Sequence, residues 1–444
     1  MPRPTVSDAA PASIDELASG FLSRWRRTNI SRADMEHAAS WVVLSASNMN
    51  SVPGGWRAQV VGGTLFVKAL IVRNEWAERA SALLMLLQLA PSLPNVDIVH
   101  VHHDGDPAPT FGWDPQRCCG GSRSRSCGTQ QVAPCPESSQ VALLTSGFSG
   151  PWRGHPSPRR WMKSSFPLPD FTWVGWGAHQ PPWCQLGPAL EAAAALHPWD
   201  TRVDAAFFAG SLTNGRHRQR LGRLAAHSRA HGLLHVHATT SAFFHYSANG
   251  SRVPLAHRNG VTAAAAAGAF LPIEEACRYR YALSVPGYGY SSRLKALLAC
   301  GCTVLHVRSS PREYYYPLLR NGTHLIEVPN VDRILPALRS LQADAPYAQR
   351  IGEAGRAFAR TTLAYAQVLR YFRRLLSAIA ARQPEMARVA SPDDGFTPVR
   401  SGAELARLLS MQPCIGSRSA GQSRACCSTP PTWDCPSRLR GCTA

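Results

Sequence analysis

The stretch Gly287 to Lys295 reads GYGYSSRLK and gathers glycines, serines and two cations in an order that suits phosphate chemistry. Glycine lets the backbone approach a ligand closely, and the first turn of a helix aims unpaired N–H groups at an anion. Arg293 and Lys295 would add positive charge where a helix dipole disfavours it, which a bound anion would explain and which surface exposure would explain equally. A second candidate is Gly210-Ser211-Leu-Thr213-Asn-Gly-Arg216-His-Arg218, where small residues again precede a basic, helix-like run. A third is the polar cluster His102-His103-Asp104-Gly105-Asp106, which follows a short apolar strand. Open α/β sheets place their ligands at such strand ends. Alternation sets His100 and His102 on one face and His103 on the other, so these imidazoles form no obvious chelate, and no metal site is expected.

The elements that must hold these residues alternate between strand and helix. Tyr279 to Val285 reads as a strand, Pro286 to Tyr290 as a turn, Ser291 to Cys300 as an amphipathic helix and Thr303 to Val307 as the returning strand. Ala205 to Ala209, Gly232 to Val236 and Leu325 to Val328 supply further strands around this βαβ unit. Earlier in the chain, Gln59 to Ile71 predicts two strands turned at Gly62-Gly63. Asn74 caps a helix through Leu89, and Asp97 to Val101 and Val141 to Thr145 are short strands. Ser13 and Ser31 each open a short helix, and Tyr347 to Ala380 predicts one long helical segment. The pattern is α/β. Gly287, Gly289 and Ser292 almost complete a dinucleotide-binding glycine motif, but its third glycine and an acidic ribose partner are missing, which leaves a nicotinamide enzyme a distant alternative.

With 444 residues and 45% apolar content the chain can build two domains of ordinary size. A net charge of +19 suits nucleotide ligands, anionic membranes or nucleic acid, yet the basic residues are dispersed without a long basic run, so nucleic acid is not an expected partner. No stretch has the length of a transmembrane helix, and the first residues show no apolar signal core. Thirteen cysteines suit an oxidising compartment better than a reducing one. Nine of them fall in two Ser/Gly/Arg/Pro-rich segments, Cys118 to Cys135 and Cys414 to Cys442, which read as an inserted loop and a disordered tail. Sequons at Asn29, Asn249 and Asn321 permit glycosylation in a secretory lumen.

Several motifs recur in a fixed order: Cys277-Arg-Tyr-Arg-Tyr, Gly287 and Ser291, Arg293-Leu-Lys295, Cys300-Gly301, Tyr314-Tyr-Tyr-Pro317, and His324. In this the chain resembles glycosyltransferase family 90, the Rumi-type protein O-glucosyltransferases and capsule-associated xylosyltransferases. The resemblance implies a GT-B-like architecture of two Rossmann-like domains facing a cleft, with a long C-terminal helix. It also implies inverting transfer of glucose or xylose from UDP-glucose or UDP-xylose to a hydroxyl of an acceptor protein or glycan, without a metal or other cofactor, in the endoplasmic reticulum or Golgi. The expected layout is an N-terminal extension at 1–40, an acceptor-binding domain at 41–195 carrying an insertion at 113–137, a UDP-sugar domain at 196–362, a helix at 363–382 and a disordered tail at 383–444.

The same resemblance assigns roles. Asp104 matches the catalytic base, with Asp106 as competitor because the proline follows it here. Ser211, Arg218, Gly287, Tyr288, Gly289, Tyr290, Ser291 and Arg293 match the UDP-sugar contacts, with Arg216 as the rival of Arg218. Trp176 and Trp183 lie on the acceptor side and would stack on a sugar or pack in a core. Cys277 and Cys300 match a disulfide of the animal members, the other possibility being two buried thiols. Ala209 stands where relatives carry arginine and Pro286 where they often carry a polar residue. These departures leave open a catalytically silent UDP-sugar- or glycan-binding member, and the net charge of +19 leaves a basic nucleic-acid-binding protein as a more distant alternative.

Overall fold

Gly62 and Gly63, with φ of 55° and 78°, turn the chain between two strands in the manner of a tight β-hairpin. A computed structural model describes residues 13–22, 29–48, 54–72, 82–101, 143–145, 166–175, 180–226, 232–238, 244–246, 252–254, 271–287, 289–309 and 312–411. Among these, the strands in chain order are β1 (Gly54–Val61), β2 (Thr64–Val72), β3 (Val96–Val101), β4 (Leu143–Thr145), β5 (Phe166–Pro167), β6 (Val203–Gly210), β7 (Leu234–Ala238), β8 (Phe244–Tyr246), β9 (Arg252–Pro254), β10 (Tyr279–Ser284), β11 (Thr303–Val307), β12 (Ile326–Val328) and β13 (Thr397–Val399). The α/β class read from the sequence is the observed one. The chain divides into two compact units, one from Met1–Gln185, Ser310–Leu318 and Tyr365–Ala444, the other from Leu186–Ser309 and Leu319–Ala364.

The first unit carries a mixed sheet in the order β13-β2-β1-β3-β4-β5. Strands β13, β2, β1 and β3 pair antiparallel, whereas β3, β4 and β5 pair parallel. The helix Tyr365–Ala380 buries Val368, Leu369, Phe372, Leu375, Leu376 and Ile379 along one stripe, the spacing by which a helix covers a core. Tyr371 from the same face donates its hydroxyl to the Pro167 carbonyl and stacks on Tyr314 with ring centroids 4.3 Å apart. Tyr315 meets Trp173 edge to face at 6.1 Å. The Tyr314-Tyr-Tyr-Pro317 motif is therefore core packing in this unit.

Arg57 on β1 and Asp97 on β3 are diagonal neighbours, Asp97 standing directly opposite Gln59, and all three are buried. Arg57 Nε donates to Asp97 Oδ1 at 2.9 Å, and Asp393 Oδ2 accepts from Arg57 Nη2 at 3.2 Å and from Gln59 Nε2 at 2.9 Å. Burial works against the guanidinium charge, but hydrogen bonding to Asp97 and the charges of Asp97 and Asp393 hold its pKa above the usual arginine value. Gln383 closes the network: its Oε1 accepts from the Asp97 N–H at 2.9 Å and its Nε2 donates to the Asp97 carbonyl at 2.8 Å.

This network corrects the expectation of a disordered tail from 383. Residues 383–411 supply Gln383, Asp393, the edge strand β13 and the helix Gly402–Met411. Ser401 caps that helix, its Oγ accepting from the Glu404 N–H at 3.2 Å. The Cys-rich part of the tail and the insertion at 113–137 lie outside the described residues. A second correction concerns Tyr347 to Ala380, which forms two helices, Ala345–Thr361 and Tyr365–Ala380. They are interrupted after the β-branched pair Thr361-Thr362, where the N–H of the fully buried Leu363 reaches back to the Phe358 carbonyl. Of the helix expected between Asn74 and Leu89, the described part is Leu83–Leu89.

The second unit is built on an all-parallel sheet in the order β12-β11-β10-β6-β7. One face packs Ala206, Phe208, Tyr281, Leu283 and Leu305 against Leu221, Ile334, Leu338 and Ile351 from the helices Arg216–Ala225, Ile334–Ala343 and Ala345–Thr361. Near-continuous burial along β10 and β11 is the signature of a parallel sheet covered on both faces. The chain leaves β6 for β7 on one side and returns to β10 on the other, so the C-terminal ends of β6 and β10 form a topological switch point.

Asp97→Ala is expected to destabilise the protein by about 3 kcal/mol, because it removes the main carboxylate partner of the buried Arg57. A chain ended at Arg382 should show a comparable loss in thermal unfolding, and one ended at Met411 should not. Equal stability of the two truncated chains would show that the buried network does not hold the C-terminal segment.

Candidate functional site

At the switch point, β6 ends on Gly210 and β10 on Ser284, and the two loops that follow touch. Gly210 has φ of 152°, a conformation that only glycine adopts freely, and a Cβ placed there would lie 2.7 Å from an Arg293 guanidinium nitrogen. A Cβ on Gly287 would lie 2.8 Å from Asn214 Oδ1. The two loops thus approach through positions where neither carries a side chain. Ser211 is buried, and its Oγ is 2.9 Å from Thr213 Oγ1 and accepts from the Thr213 N–H at 3.3 Å, which closes a local turn.

After that turn the helix Arg216–Ala225 begins at Gly215 without a side-chain cap, so its first N–H groups are not taken up by a capping oxygen. Arg218 sits in its first turn, is 9% exposed, and donates from Nε to the Val285 carbonyl at 3.2 Å. Its rival Arg216 is exposed on the helix surface, and Arg220 is occupied by Asp332 at 2.6 Å. Geometry therefore brings Arg218, and not Arg216, to the loop after β10.

Arg218 and Arg293 share one aromatic ring. The guanidinium carbon of Arg293 stands 4.9 Å from the Phe208 centroid, and that of Arg218 stands 5.8 Å from it. Burial, reinforced by the charge of Arg293, pushes the pKa of Arg218 down to about 9. Arg293 keeps some exposed surface, yet burial of its guanidinium pushes it down to about 10. No carboxylate among the described residues offsets either charge. Two like charges enclosed together disfavour their own ionisation, and a bound anion reverses that penalty.

The helix after the glycine turn departs from expectation. It spans only Leu294–Ala299, with Ser291 to Arg293 in the turn before it, so Ser291 does not open it. Ser291 and Tyr290 are buried, Gly289 is half-buried, and Tyr288 lies outside the described residues. Lys295 is fully buried, and its ammonium donates to the Ser292 carbonyl at 3.0 Å, so it braces the loop from within. Neither this six-residue helix nor Arg216–Ala225 has a side-chain cap, and Arg216–Ala225 is the longer of the two.

Cys277 and Cys300 form a disulfide across a sequence separation of 23, tying the start of β10 to the end of the Leu294–Ala299 helix. Arg202 donates from Nη1 to the Gly301 carbonyl at 3.0 Å and fixes the turn just beyond that bond. Cys302 is a buried free thiol whose pKa burial pushes up to about 12, and its Sγ donates to the Ala276 carbonyl. His324 accepts the Arg320 N–H on Nδ1 at 3.1 Å and rests on Phe358, a structural role, and burial together with Arg320 lowers its pKa.

The acceptor-side assignments fare differently. Trp183 is 3% exposed and packs edge to face on Trp173 at 5.5 Å, so its ring belongs to a core and is not presented to an acceptor. Trp176, Asp104 and Asp106 lie outside the described residues, as do His102 and His103. His100 is fully buried with its ring 4.8 Å from that of Trp56. Sequence reasoning missed Phe208, Asn214 and the pair Ser284 and His306, register partners whose side chains meet at 3.0 Å. Phe208 sits in an apolar strand run that reads only as core. Asn214, one residue before Gly215, carried a turn signal that could have been used.

Gly210→Ala should strain the backbone and drive the Arg293 guanidinium away, weakening binding of an anionic ligand about tenfold or more while the fold persists. Titration of pyrophosphate checks this, and unchanged affinity would remove Gly210 and Arg293 from the site. Replacing Cys277 and Cys300 together by alanine should remove about 3 kcal/mol of stability, read by denaturant unfolding.

The profile of glycosyl transferase family 90 matches residues 162–438, more than half of the chain. Human protein O-glucosyltransferase 1 is 27% identical over 248 residues, 51% of this chain and 59% of the relative. O-glucosyltransferase rumi of Drosophila melanogaster is 26% identical over 197 residues, 44% of each chain, and the rumi homolog of Anopheles gambiae is 31% identical over 107 residues, 23% of this chain and 27% of the relative. The matches thus span 59% or less of these curated relatives. With its parallel sheet, paired glycine loops and ordered Cys277-to-His324 motifs all inside the matched span, the chain belongs to glycosyl transferase family 90.

Proposed function

We propose that this chain transfers glucose from UDP-glucose, or xylose from UDP-xylose, to a hydroxyl of an acceptor protein or glycan. The observation that carries the reading is the enclosed pair Arg218 and Arg293 at the switch point of a parallel sheet, two cations without a carboxylate among the described residues. A diphosphate is the ligand that satisfies two neighbouring guanidiniums, because each can bind phosphate oxygens through a planar fork. The uncapped start of the helix Arg216–Ala225 adds donors on the same side. Curated relatives named O-glucosyltransferase favour glucose as the sugar.

In the reaction so proposed, the acceptor oxygen attacks the anomeric carbon as the bond from that carbon to the UDP oxygen breaks, with inversion. Asp104 takes the acceptor proton, and UDP leaves with the bonding electrons. Arg218 and Arg293 stabilise the charge that grows on the leaving diphosphate, and Ser211, Ser291 and the loop Gly287 to Tyr290 hold the nucleotide sugar. The guanidiniums supply the charge stabilisation, so no metal takes part. The proposed architecture is GT-B-like, with an acceptor domain at 41–195, a donor domain at 196–362 and a long helix at 363–382. A secretory lumen, where the Cys277–Cys300 bond is stable, is the proposed location. No described helix is long and apolar enough to cross a membrane.

Thermal unfolding with UDP, UDP-glucose and UDP-xylose tests the donor site. A ligand at a hundredfold over its dissociation constant should stabilise the fold by about 2.7 kcal/mol, and Arg218→Met should abolish the shift. Absence of any shift in folded protein would sink the reading. Asp104→Asn should keep the UDP shift and lose roughly 100- to 10,000-fold in turnover. Near-normal turnover in that variant together with an inactive Asp106→Asn would move the base to Asp106.

A further inference from the structure

We propose that Phe208 is a positioning residue for the nucleotide-sugar diphosphate, acting through the two guanidiniums held over its ring. The inference rests on the donor-site reading above and adds a residue to it.

Phe208 is 1% exposed near the C-terminal end of β6, two residues before Gly210. A phenylalanine in a parallel strand needs no explanation beyond packing. What packing leaves unexplained is that two arginines from different segments, the helix after β6 and the loop after β10, bring their guanidinium carbons to 5.8 Å and 4.9 Å from one ring centroid. Like charges repel, and in an enclosed site water screens them poorly. The negative face of an aromatic ring attracts both cations without neutralising either one. A carboxylate in the same place would pair with the guanidiniums and compete with phosphate for them. The ring therefore keeps two positive charges close together while their donors stay available to an anion.

The rest of the geometry supports this use. Arg218 commits only Nε to the Val285 carbonyl among the described contacts, and that carbonyl follows directly on β10. Arg293 lies against the bare Cα of Gly210, where any side chain would displace it from the ring. The ring is thus placed by β6, one cation by the helix after β6 and the other by the loop after β10. Withdrawing the ring's electron density with little change in its size should loosen the two cations and leave the strand intact.

The test is a series at position 208: phenylalanine, then 4-fluoro-, 3,5-difluoro- and pentafluorophenylalanine, with Phe208→Tyr as the conservative variant and Phe208→Leu as the truncation. Calorimetric titrations would use UDP, inorganic pyrophosphate and uridine. The expected result is a stepwise fall in UDP and pyrophosphate affinity with fluorination, reaching about five- to tenfold for the pentafluoro ring. Uridine affinity should stay constant, and Phe208→Tyr should bind UDP within about twofold of the parent. A flat series for UDP and pyrophosphate would overturn the proposal, as would equal losses for uridine and UDP, which a packing defect alone produces. The mono- and difluoro rings add little volume to the core, so the answer does not depend on Phe208→Leu folding. Failure of the parent protein to bind UDP or pyrophosphate would instead overturn the donor-site reading itself.

Discussion

Two positive charges enclosed at the tips of neighbouring parallel strands are the constraint to which the second unit answers. Arg218 and Arg293 come from segments well separated in the unit's sequence, and each is disfavoured by its own desolvation. Holding them together requires a tight strand end at Gly210, a contact between Asn214 and Gly287 that leaves no room for a Cβ, and an aromatic ring under both guanidiniums. The disulfide from Cys277 to Cys300 closes the segment that carries Arg293, and Arg202 fixes the turn behind it. Each of these features limits how far the cations can separate. An anion bound beside them would relieve their repulsion and so couple ligand affinity to local order.

The first unit solves the same electrostatic problem the opposite way. Arg57 is also buried, but Asp97 and Asp393 raise its pKa above the usual value, and Gln59 and Gln383 saturate the remaining carboxylate and backbone groups. A guanidinium satisfied in this way is a structural tie, and it joins β1 and β3 to Asp393, 336 residues beyond Arg57 in the chain. The contrast between the paired Arg57 and the pair around Phe208 separates an arginine that holds a fold from arginines that can hold a ligand. Burial alone would not distinguish them.

Much of the fold was legible because local rules agree with the tertiary result. The Gly62-Gly63 hairpin, the β10-to-β11 unit and the serine-capped helices at Ser13 and Ser31 follow from turn residues, periodicity and capping chemistry. The errors arose where a local pattern was overruled. A helix was expected from Ser291, but the loop continues to Arg293. A tail is expected from 383 because the family resemblance stops there, yet its anchors are single polar residues, Gln383 and Asp393, whose partners lie in β1 and β3. Trp183 had the composition of a sugar platform and is core because Trp173 is there to receive it.

The sequence by itself determined the α/β class, the two small-residue loops with their cations, and the ordered motifs that mark the family, because each is written in neighbouring residues. It left Arg216 and Arg218 as rivals and gave Phe208 no role beyond packing. Only the tertiary structure separates the two arginines and sets Phe208 beside Arg218 and Arg293, by placing β6 beside β10 so that the helix after one strand meets the loop after the other. The physical reason is that desolvation, like-charge proximity and a shared aromatic ring are properties of what surrounds a side chain in space. No spacing along the chain encodes them.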